Sequence, residues 1–221
     1  MAGVSVWLWL TVGLLVTLSS HVVSRTPRSV VIVGAALGLV LAVWSGAWLA
    51  ADVVVGHAMQ TEAGPSRVSA LESAVRLNPL SPRYRWLVAD AIAGSALIEQ
   101  RSGQSQQVVD ATTNRAIAGY YAAADADRGD LLPRIALANF LSKSAVGHPG
   151  SDAADRAVDA ALSANTLAPR DALALVTLAK AYAAAGLASQ ARSAAEVARS
   201  IAPAYAAQTL GSTGLTGTPS P

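Results

Sequence analysis

The 221-residue chain has no cysteine, which excludes disulfides, thiolate metal sites and cysteine nucleophiles. It has one phenylalanine, and aromatics are only 5%, so a core must be built from smaller side chains. Charged residues make up 14% and the formal net charge is +2. No basic run or clustered basic face occurs, and nucleic-acid binding needs one. Neither G-x-x-x-x-G-K-[ST] nor G-x-S-x-G is present, so the phosphate loop and the hydrolase elbow are both missing. No catalytic constellation and no cofactor site is legible.

Apolar residues are plentiful instead. They reach 52%, with a mean hydropathy of +0.40. Much of this is alanine, the strongest helix former, because its side chain loses no rotamer freedom. The expected fold class is all-α.

The first 56 residues carry three charges, Arg25, Arg28 and Asp52. Val4 to Val23 and Val30 to Ala51 are apolar runs of ~20 residues each, enough to cross a ~30 Å hydrocarbon core at ~1.5 Å per residue. The polar turn Ser24-Arg25-Thr26-Pro27-Arg28-Ser29 links them, so residues 1–56 read as an antiparallel two-helix transmembrane hairpin. Both arginines lie in the turn, which places it in the cytoplasm and both termini outside. Trp7, Trp9 and Trp48 then fall at the outer interface, where an indole keeps its ring apolar and its N–H wet. The rival reading of the first run is a signal peptide, which its length and its lack of a basic start disfavour. In the second run Gly34, Gly38, Ala42, Gly46 and Ala50 recur every four residues. Such a stripe lets membrane helices approach closely, and it is expected to pack on helix one, a second copy or a polytopic membrane protein.

From His57 charges return and apolar residues take helical spacing. Ser81-Pro82, Leu132-Pro133, Ser151-Asp152 and Pro169-Arg170-Asp171 are helix starts. Two helices are expected at about Ser81 to Arg101 and Gln104 to Ala124. Ala168-Pro169 and Ala202-Pro203 stand 34 residues apart. Between them Leu178-Ala179, Tyr182, Gly186, Ala191 and Ala198 precede Pro203 in a spacing that resembles the tetratricopeptide (TPR) repeat. Ala157, Ala164 and Pro169 match the second half of a preceding repeat, and Ala70, Ala74 and Leu77-Asn78-Pro79 match an earlier half. The resemblance implies that residues 57–210 form a helical-repeat solenoid of about seven helices, each stacking to bury a face it cannot bury alone. Residues 211–221, rich in Gly, Ser, Thr and Pro, read as a disordered tail.

The whole chain also resembles the C-terminal part of bacterial O-antigen ligase/polymerase-family proteins. Two membrane helices precede a repeat stretch, with Arg76-Leu77-Asn78-Pro79-Leu80-Ser81-Pro82-Arg83-Tyr84-Arg85 at the first helix boundary. That family's functional residues lie on loops before this region, so no catalytic residue is carried over. The resemblance implies a multi-pass protein of the bacterial cell membrane with its repeats extracytoplasmic.

Candidate sites are few. His21, His57 and His148 are far apart, and no metal site is expected from them. Asp125, Asp127 and Asp130 faintly resemble an EF-hand start, but Ala136 stands where the closing Glu belongs, and a helix end with a cap is the better reading. Gly94-Ser95-Ala96 reads as packing. TPR register places Arg83, Trp86, Asp90, Val176 and Lys180 on a partner-binding groove, although Trp86 also suits a core position. Two functions follow. One is a membrane-anchored extracytoplasmic scaffold that binds a protein partner at the lipid surface. The other is an accessory or C-terminal module of a cell-envelope glycan polymerase or ligase whose catalytic part is elsewhere.

Overall fold

The computed structural model describes the backbone of residues 28–211 and side chains from Ala36 to Gly211. The described residues are all-helical, with nine helices and no strand. The first apolar run, Arg25, Trp7, Trp9, His21 and positions 212–221 lie outside them.

Helix α1, Arg28–Gln60, has 33 residues and is ~50 Å long. The stretch Ala36–Gln60 is long and apolar enough to cross a membrane, and only 11% of its apolar window is buried. Leu39, Val40 and Leu41 are consecutive and all exposed. At ~100° per residue they spread around the helix, so no single packing partner hides them. A helix apolar all round calls for an apolar surrounding.

The helix does not stop at residue 56, where the sequence suggested a domain boundary. Gly56 is carried within the helix, and no proline follows before Gly64-Pro65. Its last turns change role instead. Ala51, Val55 and Ala58 are buried at helical spacing, and they pack against α2, Pro65–Leu77. The apolar helix is thus also the first helix of the helical body.

Three further hairpins follow. Helices α3 (Pro82–Arg101) and α4 (Gln106–Ala126) form one, α5 (Leu132–Ser144) and α6 (Asp152–Leu167) the next, and α7 (Ala172–Ala184) and α8 (Ala188–Ile201) the last. A short α9, Pro203–Leu210, closes the end by burying Ala206 and Leu210. It adds a helix to the seven expected, because Pro203 starts a helix at N1 rather than merely closing a repeat. First helices also touch along the stack, α3 to α5 and α5 to α7.

The starts obey local chemistry. Pro occupies the first turn of α2, α3, α5 and α9, where its missing N–H costs nothing. Ser151 Oγ accepts from Ala154 N at 3.3 Å and Asp171 Oδ1 from Ala174 N at 2.9 Å, capping α6 and α7.

One core cluster runs from Ala51 to Leu210, and its members are mostly alanines. In the last hairpin Ala179, Ala191 and Ala198 have no exposed surface, so α7 and α8 approach closely. Gly186 makes their turn at φ +77°, a left-handed conformation that side chains with a Cβ disfavour. Gly119 serves another close approach, since a Cβ there would meet Ala89 Cβ at 3.0 Å between α4 and α3.

Candidate functional site

A groove of about 540 Å³ opens between α3 and α5, with α7 at one end. Trp86, Asp90, Ala93, Gly94 and Leu97 line it from α3. They recur at i, i+4, i+7, i+8 and i+11, one face of a helix. Leu132, Ile135, Ala136, Asn139, Phe140 and Lys143 line it from α5 with the same periodicity. Lys180 closes it from α7, and Tyr120 reaches its floor from α4.

The floor is aromatic and held in place. Tyr120 is 1% exposed, and its ring lies 6.4 Å from that of Phe140, tilted by 41°. Such tilted pairs are favoured by the ring quadrupoles. The Tyr120 hydroxyl donates to Asp90 Oδ1 at 3.1 Å. Burial, and then the Asp90 charge, raise the phenol pKa well above its ordinary value. The hydroxyl therefore keeps its proton and orients Asp90 at any physiological pH. Trp86 is half-buried; it packs on the core and lines the groove.

Lys143 and Lys180 stand at the far end. Burial and the neighbouring Lys143 charge lower the Lys180 pKa. Neither lysine forms an ion pair among the described residues, and two ammonium groups facing one cavity repel unless an anion joins them. The groove is thus apolar and aromatic in its middle, with one carboxylate on α3 and two cations on α5 and α7.

Three residues expected at the groove, Trp86, Asp90 and Lys180, come together there. Val176 does not reach it. It is 1% exposed, one turn below Lys180 on α7, covered within a wholly buried run from Ala174 to Ala179. Arg83 lies on the Trp86 stripe one turn earlier, beyond the end of the groove wall, and is exposed. The α5 wall and Tyr120 escaped the sequence reading, although Leu132, Ile135, Ala136, Asn139 and Lys143 share one helical face. The repeat register had assigned α5 no groove face, because its repeat matched only in the second helix.

The small-residue stripe faces nothing among the described residues. Ala42, Gly46 and Ala50 are exposed, Gly38 is half-buried, and a Cβ at Gly46 would meet no atom within 4 Å. The surroundings of Gly34 lie outside the described residues. The buried face of α1 is the Ala51, Val55, Ala58 stripe.

Other candidates have local roles. Asp127 accepts from Gly129 N at 3.1 Å and Asp130 from Leu132 N at 2.9 Å, closing α4 and opening α5. Ser95 Oγ donates to Ala91 O at 3.1 Å. His57 and His148 are exposed, and no group of three metal-ligating side chains occurs among the described residues.

The chain matches no protein-family model and no curated protein.

Proposed function

We propose that this protein is a membrane-anchored, TPR-like helical scaffold that holds a protein partner in the α3–α5 groove at the lipid surface. The groove carries this reading. It joins a half-exposed Trp86 and an aromatic floor to charges of both signs that form no ion pair among the described residues, the composition of a binding hot spot. Its shape suits a helix or extended segment laid along it. The partner segment places apolar side chains over Tyr120 and Phe140 and an acidic group between Lys143 and Lys180. The groove offers no nucleophile paired with a base, so binding rather than catalysis is the reading it supports. Anchoring follows from α1, whose apolar stretch from Ala36 is largely uncovered among the described residues. A bacterial envelope and an extracytoplasmic repeat body complete the proposal, on the strength of Arg25 and Arg28 between the two apolar runs of the sequence and of the family resemblances.

The test is co-purification from native membranes in mild detergent. Partners recovered with the unaltered chain should be lost with Trp86→Ala and with Lys143→Glu/Lys180→Glu, while helical circular dichroism shows that both variants still fold; Trp86→Ala, which also loses packing on the core, should melt somewhat lower. Recovery of the same partners with both variants would remove the groove from the account.

A further inference from the structure

The turn between α2 and α3, Leu77-Asn78-Pro79-Leu80, hangs beside the open surface of α1. Leu77 and Pro79 share an apolar cavity of about 380 Å³ with Leu39, Val43, Trp44 and Trp48. Those α1 positions precede Asp52 by 4 to 13 residues, or ~6 to 20 Å along the axis. The turn therefore reaches back past the polar end of α1 to the level of its apolar stretch. Leu77 is 39% exposed and Leu80 65%.

Arginines ring this tip. Arg76, Arg83 and Arg85 are all exposed. Arg85 Nη2 donates to Pro79 O at 2.9 Å and Arg76 Nη2 to Ser73 Oγ at 2.7 Å. None of the three forms an ion pair among the described residues. Nearby acids are already engaged. Glu72 pairs with Arg115 at 2.6 Å, and Asp52 accepts from the Tyr84 hydroxyl. An apolar tip ringed by unpaired arginines matches the boundary between acyl chains and lipid phosphates, where long cationic stems lie along hydrocarbon and their heads reach outward.

We propose that the α2–α3 turn is a lipid-binding wedge. Leu77, Pro79 and Leu80 enter the acyl boundary beside Trp44 and Trp48, and Arg76, Arg83 and Arg85 bind the phosphates of anionic phospholipids. The proposal rests on α1 spanning the bilayer and adds a second contact that fixes how the helical body stands on it.

The absence of cysteine makes the test direct. Leu80→Cys carries an environment-sensitive fluorophore in the full chain, reconstituted into phosphatidylcholine vesicles with or without phosphatidylglycerol; Gln190→Cys on α8 is the control. The Leu80 label should shift to the blue and be quenched by lipids brominated near the carbonyl, more by brominated phosphatidylglycerol than by brominated phosphatidylcholine. The Gln190 label should do neither. Replacing Arg76, Arg83 and Arg85 by Gln should lower the anionic preference by about fivefold per arginine. A Leu80 label that stays in water while the chain floats with the vesicles overturns the wedge and leaves the anchor standing. A label buried but unquenched, and cross-linked to the 4–23 apolar run, also overturns it, because the chain itself then fills the cavity. A chain that does not float with vesicles removes the anchor and the wedge together.

Discussion

Removing the Tyr84 hydroxyl tests whether the end of α1 belongs to the helical body. Tyr84 on α3 is 4% exposed, and its hydroxyl donates to Asp52 Oδ1 on α1 at 2.5 Å, across 32 positions of sequence. A hydrogen bond to a charged acceptor contributes about 1.5–3 kcal/mol, and a neutral one about 1 kcal/mol. Asp52 is exposed, so water replaces the lost donor in Tyr84→Phe, and about 1 kcal/mol is the expected cost. Melting followed by helical circular dichroism in mild detergent should then fall by about 2–4 °C. The sharper measurement is a cycle of Tyr84→Phe, Asp52→Ala and the pair. The two losses should be non-additive by about 1 kcal/mol. Additivity to within ~0.3 kcal/mol would show that α1 and α3 are not coupled through this contact, and would refute the picture of α1 as the first helix of the stack.

Gly119→Leu should destabilise the chain by about 1–3 kcal/mol, the usual cost of overpacking, because a Cβ there stands only 3.0 Å from Ala89 Cβ; Gly119→Ala should cost less, because about 1 kcal/mol of helix propensity offsets the crowding, and melting measures both. Alkali should unfold the protein through its buried phenols. Burial and the Asp52 hydrogen bond push Tyr84 up to about 12 from 10.0, and Tyr120 rises too. Since the folded state holds these protons more tightly, their contribution is full below pH 10 and is lost as pH climbs toward 12. Lys180, lowered by burial, acts with the opposite sign, because its penalty is relieved as it loses its proton. Comparing melting between pH 8 and 12 with and without Tyr84→Phe/Tyr120→Phe isolates the phenols, and the double variant should show the shallower decline.

Local signals were the legible part of the fold. Pro, Ser and Asp at helix starts mark boundaries through backbone geometry and capping, which act within a few residues; the expected Ser81 to Arg101 helix is Pro82–Arg101. The continuation of α1 past residue 56 was hidden because the return of charges from His57 onward reads as the start of a separate polar region. A charge on one face does not stop a helix whose other face is buried. Val176 was misplaced for a related reason. An alanine-rich helix such as α7 gives little contrast between its faces, so periodicity cannot tell which turn is covered. The α5 wall was readable as a stripe, but only the stack shows that this stripe meets Trp86 and Asp90 across a gap.

The central claim is that a partner sits between α3 and α5. A photo-crosslinking residue placed at Asn139 in the groove, and for comparison at Gln190 on α8, tests it in native membranes. The account predicts a discrete protein adduct from position 139 that disappears with Trp86→Ala, and none from position 190. Adducts of equal yield from both positions, or an adduct at 139 indifferent to Trp86, would contradict it.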